Sequence, residues 1–431
     1  MNDFSARRAL PPETATEPPR RLARGGLLGV LDVGSTKIAC LIGRAETDGA
    51  LRVVGFGWQK GRGVRGGGVT DLADAEKAIR AAVGQAEDMA DTGLRAVTAN
   101  LSCGQPESRL FNVQWPVGGR AVGAEDVQRV VYEARARALS EGRETIHALP
   151  LGFAVDETAD IADPRGLFCN TLTARLHIID AATSALRNFG VCLARADLDI
   201  AEMVSAPLAA GLAVLVEDER TLGATVVDMG GGTTGMAVFG EGQILHTATL
   251  PVGGMHVTND IARLLSTPVA HAERLKTLYG NTEPSPDDER EMLPVPLVGE
   301  EEHQIARVPR AMVVSIIRPR LEETFEMVKE RLEASGLSRI AGTRVVLTGG
   351  AAQLSGAREM AARIFGRQIR LGRPHGLRGL PEAASGPAFA TAAGLLAWAA
   401  GAGRIMHDID LTPEASRGLL GRLIDFLRQR I

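Results

Sequence analysis

The chain has 431 residues, 45% of them hydrophobic and 23% charged, with a formal net charge of −4 at pH 7. That composition is globular and leaves room for two large domains. The charge offers no basic field for nucleic acid, and aromatic residues at 4% argue against stacking platforms for single strands.

The four cysteines, Cys40, Cys103, Cys169 and Cys192, fall in no metal-binding spacing, which fits a reduced cytosolic protein. Residues 1–24 are rich in Pro and Arg and lack the apolar run of a signal peptide. They read as a disordered tail. Residues 27–43 read as a β-hairpin containing VLDVGSTKIA at 30–39, and 51–58 as a third strand. Gly61, Gly63 and Gly66 formally match G-x-G-x-x-G. The loop does not directly follow the strand, so a mobile Gly/Arg loop is expected rather than a dinucleotide site. Helical period over 74–90 puts Ala75, Ala78, Ile79, Ala82, Val83 and Ala86 on one face. Two strands over 94–117, an amphipathic helix over 125–139 and strands over 146–155 and 172–179 form a compact α/β insert. A turn-rich segment at Asp163 and Pro164 joins its last two strands, and no catalytic cluster stands out in it. Helices are expected over 181–194 and 201–214.

A strand over 224–227 opens the stretch VVDMGGGTTG at 226–235, and another strand is expected over 242–250. Helices follow over 259–265 and 269–278. On the second, Glu273 and Lys276 share a face at i, i+3. They are either a solvated ion pair or a pair of polar hands for a ribose or base. Residues 281–309, rich in Pro and Glu, are a strand pair or a mobile binding loop. A long helix over 315–333 runs through Pro319. A strand over 344–347 leads into Gly349 and Gly350, then a helix over 356–364 and a short strand near 368–371. Residues 383–403 carry no charge and imitate a membrane span, but they are mostly Ala and Gly and hold Pro387. Small residues let helices approach closely, so a tightly packed internal helix is expected.

The stretches at 30–39 and 226–235 have the same build: an apolar strand, an Asp, then a tight run of Gly and hydroxyl residues. Glycines let backbone come close to a ligand. Consecutive N–H groups in such turns form a concavity that favours anions. An Asp at the strand end can hold a hydrated Mg²⁺. Two such hairpins suggest two halves closing on one polyphosphate. A Walker-type loop is not the alternative, because Lys37 in Gly34-Ser35-Thr36-Lys37 stands in the wrong place for it.

The order of motifs resembles the five-motif signature of the actin/Hsp70/sugar-kinase superfamily. It runs Asp32–Lys37 as residues 32–37, then 209–211, 228–234, 347–350 and the small-residue helix at 389–398. Within it, the chain resembles the bacterial cell-division family FtsA. The resemblance rests on EDERTLG at 217–223, AERLK at 272–276, VLTGGAAQLSG at 346–356 and the subdomain inserted after Leu94. It covers about residues 27 to 398, plus the C-terminus.

The resemblance implies an α/β, actin-like fold: two duplicated ribonuclease H-like domains, an FtsA-type inserted subdomain and a C-terminal amphipathic helix. The expected division is a tail over 1–24, subdomain 1A over 25–93 and 172–200, and the insert 1C over 94–171. Subdomain 2A would span 201–256 and, with the connecting helix, 310–403, and subdomain 2B would span 257–309. A linker over 404–416 and a membrane-targeting helix over 417–431 would end the chain. It also implies ATP and Mg²⁺ in the interdomain cleft. Asp32 and Asp228 would order the metal through water. Gly34, Ser35, Thr36, Lys37, Gly230, Gly231, Gly232, Thr233 and Thr234 would hold phosphates. Glu273, Lys276, Gly349 and Gly350 would contact the nucleoside end. Two positions depart from the superfamily: Gly235 stands where an Asp is common, and Ala206 precedes Pro207 where a Glu is common. Glu202, one helical turn away on the expected helix, is the candidate substitute. At most a weak ATPase is expected, since phosphoryl transfer depends on positioning.

The last stretch, RGLLGRLIDFLRQRI, gathers Leu419, Leu420, Leu423, Ile424, Phe426, Leu427 and Ile431 into one sector at helical period, with Arg422 and Arg428 outside it. Such a helix is about 22 Å long at 1.5 Å per residue, too short for a core of about 30 Å. From period alone it is an interfacial helix, a helix docked on its own domain, or a partner-binding helix. The resemblance favours membrane targeting at the cytoplasmic face of the inner membrane, at the division septum. Partly burying those side chains would gain on the order of 5–10 kcal/mol, less the cost of ordering the helix. Single copies would bind reversibly and polymers far more tightly. The implied partners are the tail of tubulin-like FtsZ through subdomain 2B, further copies of the chain, anionic lipid and later divisome membrane proteins, with no nucleic acid. A sugar or acetate kinase of the same superfamily, and an MreB-like or pilus-assembly filament protein, are the other readings.

Overall fold

The computed structural model describes residues 26–138, 140–299 and 305–402. The tail at 1–24, the linker at 404–416 and the helix at 417–431 therefore lie outside the described residues.

Strands β1 (Leu27–Val33), β2 (Lys37–Ala45) and β3 (Leu51–Lys60) form an antiparallel meander. A short ribbon, β4 (Val64–Arg65) and β5 (Gly68–Val69), leads into α1 (Leu72–Ala90). Asp71 caps α1 by accepting from the Asp74 N–H at 3.0 Å, and the helix buries the six residues that its period selects. The segment at 61–70 is thus a built ribbon rather than a plain loop. Strand β6 (Ala96–Leu101) returns parallel to β1. The insert follows: β7 (Glu107–Ala121), α2 (Ala124–Arg137), β8 (Arg143–Val155), β9 (Thr158–Ile161) and β10 (Phe168–Ala182). Its sheet order is β7-β10-β8-β9. Strand β9 lies in the stretch that reads as turns, being too short to show a period.

After α3 (Thr183–Arg195) the chain makes β11 (Asp199–Ser205), then α4 (Ala206–Val214). The helix expected over 201–214 is therefore half strand. Its first part pairs parallel with β6, and Pro207 in the first helical turn marks where the helix begins. Then come α5 (Glu217–Leu222), β12 (Ala224–Met229), β13 (Thr234–Gly240) and β14 (Gln243–Leu250). Helices α6 (Gly254–Leu264) and α7 (Val269–Tyr279) precede the strand pair β15 (Met292–Pro296) and β16 (Ile305–Pro309). Helix α8 (Arg310–Ala334) continues through Pro319. Strand β17 (Arg344–Thr348), α9 (Ala357–Phe365), β18 (Gln368–Leu371), β19 (Leu377–Arg378) and α10 (Ala390–Ala399) complete the described chain.

The two large sheets repeat one topology. The first runs β11-β6-β1-β2-β3-β19 and the second β14-β13-β12-β17-β18. In each, an antiparallel meander of three is extended by parallel strands on the side of its first strand. Helices α1 and α3 cover one face of the first sheet, and α8 and α9 cover one face of the second. Between the sheets, α4 and α10 share a core with Val30 and Leu41 of the first and Val226 and Phe239 of the second. The uncharged stretch at 383–403 is thus internal packing as far as it is described. Among the described residues, no helix is long and apolar enough to cross a membrane.

The insert is fastened to the second half by a buried polar cluster. Ser108 Oγ accepts from the Thr247 N–H at 3.1 Å, and lies 2.5 Å from His177 Nε2 and 3.2 Å from His246 Nδ1. Burial, with the nearby His246 and His147, pushes His177 down to about 3 from 6.5. The sign of the linkage follows. Above pH 6.5 the imidazole is neutral in both folded and unfolded chain. Between there and pH 3 only the unfolded chain takes up the proton. Stability is expected to fall by about 1.4 kcal/mol per pH unit from this residue below pH 6.5. Denaturant titrations at pH 7, 6 and 5 check it: His177→Gln should flatten the slope, and an unchanged slope would remove His177 as its cause.

Candidate functional site

The two glycine–hydroxyl stretches form the same turn. In the first, Gly34 N–H donates to the Lys37 carbonyl at 2.9 Å; in the second, Gly230 N–H donates to the Thr233 carbonyl at 2.9 Å. Each turn closes a hairpin, β1–β2 and β12–β13, and the turns face each other. A Cβ on Gly231 would collide with the Thr36 side chain, and one on Gly232 with Ser35 Oγ. Between and beyond them lies a cleft of about 600 Å³, the size of a small-molecule site.

Of the expected site residues, Asp32, Gly34, Ser35, Thr36, Lys37, Asp228, Gly230, Gly231, Gly232, Thr233, Glu273, Lys276, Gly349 and Gly350 line this one cleft. Thr234 does not: it is fully buried and its hydroxyl donates to the Val252 carbonyl at 2.8 Å. As the first residue of β13 it points away from the turn and braces it. Glu202 is also outside the wall. It stands on β11, beside Thr98 of β6, because residues 199–205 are extended rather than helical. The spacing of one helical turn from Ala206 therefore does not exist. Ala206, Pro207 and Gly235 do line the cleft, and a Cβ on Gly235 would stand 3.0 Å from Pro207 Cβ. No carboxylate enters at either departing position.

Two carboxylates stand at the turn end of the cleft. Asp32 is nearly buried and pairs with Lys37 Nζ at 2.9 Å. Lys37 also lies 4.4 Å from the Phe389 ring centroid. Asp228 accepts from Thr391 Oγ1 at 2.8 Å. Burial raises its carboxyl to about 6; the Thr391 hydrogen bond opposes the rise and the Asp32 charge adds to it. Two nearby carboxylates in the cleft wall form a donor set suited to a hard divalent cation. At the other end, Lys276 Nζ contacts Glu273 Oε2 at 2.7 Å, Thr258 Oγ1 at 2.9 Å and the Gly254 carbonyl at 3.1 Å. The pair on α7 is thus held to α6 rather than free in solvent. Gly349, at φ 84, passes so close that a Cβ would stand 2.6 Å from Asp228 Oδ1.

Several wall residues have no motif to announce them. Asn100 Oδ1 accepts from the Val33 N–H at 2.8 Å, and Asn100 Nδ2 donates to Ser102 Oγ at 3.2 Å. Gly254 N–H and Met255 N–H donate to the Gly230 and Gly231 carbonyls at 2.9 and 2.8 Å, so the start of α6 is built onto the second turn. The glycine pair at 253–254 was the available signal. Thr391, on an uncharged helix, offered none.

With this geometry in place, comparisons with known proteins are specific. The model of "Cell division protein FtsA" matches residues 225–394, and that of "SHS2 domain inserted in FTSA" matches residues 103–180. The cell division protein FtsA of Rhizobium meliloti (strain 1021) is 44% identical over 384 residues, 86% of this chain and 87% of that protein. Among solved structures, a PilM-PilN type IV pilus biogenesis complex is similar at TM-score 0.61 and 18% identity, covering 86% of this chain and 98% of that one. MreB 5 of Spiroplasma citri bound to AMPPNP is similar at TM-score 0.50 and 14% identity, covering 85% of this chain and 94% of that one. These likenesses show an actin-like fold.

Proposed function

The chain belongs to the FtsA family of cell division proteins, and from that premise we propose that its cleft binds ATP with Mg²⁺ and that the bound chain assembles on the inner membrane. The observation that carries the reading is the facing pair of hairpin turns, whose glycines leave room where any Cβ would collide. Backbone N–H groups of Gly231 and Gly232, with the hydroxyls of Ser35, Thr36 and Thr233, would cradle the phosphates, while the Gly34 and Gly230 N–H groups hold the two turns closed. Asp32 and Asp228 would hold hydrated Mg²⁺, which screens the phosphate charge when bound. Glu273 and Lys276 would meet the ribose and Gly349 and Gly350 the base side. Gly235 and Ala206 put no acid near the terminal phosphate, so retention of nucleotide is favoured over turnover.

On this reading the nucleotide holds the halves in a polymerising arrangement. Subdomain 2B, over 257–309, takes the FtsZ tail, and the helix at 417–431 docks on anionic lipid while the filament recruits later division proteins. Avidity makes attachment depend on assembly. Co-sedimentation with anionic liposomes tests it, using the full chain and a chain ending at Ser416, with and without Mg-ATP. The full chain should pellet, more so with ATP, and the shortened one should stay in solution. Equal pelleting by both would overturn membrane attachment through residues 417–431.

A further inference from the structure

The cleft has the shape of an anion site, yet each cation in its wall is already paired. Lys37 pairs with Asp32 at 2.9 Å, Lys276 with Glu273 at 2.7 Å, and Arg310 with Glu291 at 3.1 Å and Asp288 at 3.4 Å. Asp228 adds a carboxylate to the wall that makes no ion pair among the described residues. A triphosphate would bring more negative charge into a space whose positive charge is already in use.

The β4–β5 ribbon stands at this place. Gly66 and Gly67, at φ 52 and 80, make the two-residue turn that joins β4 to β5. Gly66 N lies 2.9 Å from where a Cβ on Gly232 would be, and Gly67 lines the cleft beside Ser102. At the ribbon's base, Gly61 N–H donates to the Thr36 carbonyl at 2.8 Å. The ribbon therefore touches both hairpin turns. It is also tied to the start of α1, where Thr70 and Asp71 N–H groups donate to the Gly63 carbonyl at 2.7 and 3.1 Å. Val64 is buried in the core under α1, so strand alternation puts Arg65 on the opposite, exposed side, next to the turn. Among the described residues Arg65 makes no ion pair.

We infer that Arg65 is a contact for the terminal phosphate of a nucleoside triphosphate, carried to the cleft mouth by the β4–β5 ribbon. The inference rests on the nucleotide reading of the cleft. A guanidinium fits phosphate oxygens with two parallel hydrogen bonds, which an ammonium cannot reproduce. The outermost phosphate lies farthest from the base, so a diphosphate does not reach it. The ribbon thereby distinguishes the two nucleotides and passes the difference to α1.

Calorimetry on the full chain with Mg-AMPPNP and with Mg-ADP tests this. Arg65→Ala should weaken AMPPNP roughly tenfold, the loss of one charge-assisted hydrogen-bonded contact, and leave ADP unchanged. Arg65→Lys should fall between, and Arg62→Ala should change neither. Unchanged AMPPNP binding in Arg65→Ala, or equal losses for both nucleotides, overturns the role of Arg65 while leaving the nucleotide site standing. A wild-type chain that binds neither nucleotide overturns both.

Discussion

Gly394→Ala is expected to cost about 3 kcal/mol or more, the upper range of overpacking in a tight core. Helices α4 and α10 lie between the two sheets and touch backbone to backbone. A Cβ on Gly394 would overlap the Ala209 carbonyl oxygen and crowd its carbonyl carbon and Cα. All three atoms belong to a helix backbone, which cannot swing aside as a side-chain tip can. Both helices are buried on nearly every side, so the strain has nowhere to go without parting the two halves. The midpoint of denaturant unfolding should drop sharply. Gly84→Ala is the control of opposite sign. It sits inside α1, and nothing lies within 4 Å of the added Cβ. Helix propensity then favours alanine by up to about 1 kcal/mol. Equal effects at the two sites would mean that α4 and α10 are not in close contact.

Asp228→Ala is expected to weaken Mg²⁺-dependent nucleotide binding by about 10–100-fold, the range for losing a group that orients a metal site. The carboxylate stands half-buried in the cleft wall, held by Thr391 and crossed closely by Gly349. Asp228→Asn keeps the shape and an acceptor for Thr391 but removes the charge. It should lose the Mg²⁺-dependent affinity to a similar degree. The apo chain should be at least as stable, because a partly desolvated carboxylate without a cation is costly. Calorimetry in Mg²⁺ and in EDTA, beside an unfolding curve of the apo variant, separates the two effects. Undiminished Mg²⁺-dependent binding by both variants would place the cation elsewhere.

Much of the candidate site was legible because its parts are local. A hairpin turn is made by a few consecutive residues. The strand, the Asp and the Gly–hydroxyl run at 30–39 and 226–235 carry their own backbone instructions. The same holds for Gly349 and Gly350 at the end of β17, for the i, i+3 pair on α7 and for the buried face of α1. The order of these pieces along the chain carried the family and the duplicated fold.

What needed the tertiary structure is what depends on partners distant in sequence. Residues 199–205 have no period that separates strand from helix; pairing with β6, about a hundred residues earlier by the β6 and β11 bounds, makes them extended. That pairing moved Glu202 out of reach of the cleft. Thr234 sits in the glycine–hydroxyl stretch, yet the alternation of β13 turns its hydroxyl to Val252. Thr391 holds Asp228 across 163 positions, and no pattern in either neighbourhood foretells it. The sequence by itself determined the two turns and their chemistry, because backbone conformation and nearest neighbours are local. Only the tertiary structure decided which side chains look into the space between those turns, because facing is a property of packed elements.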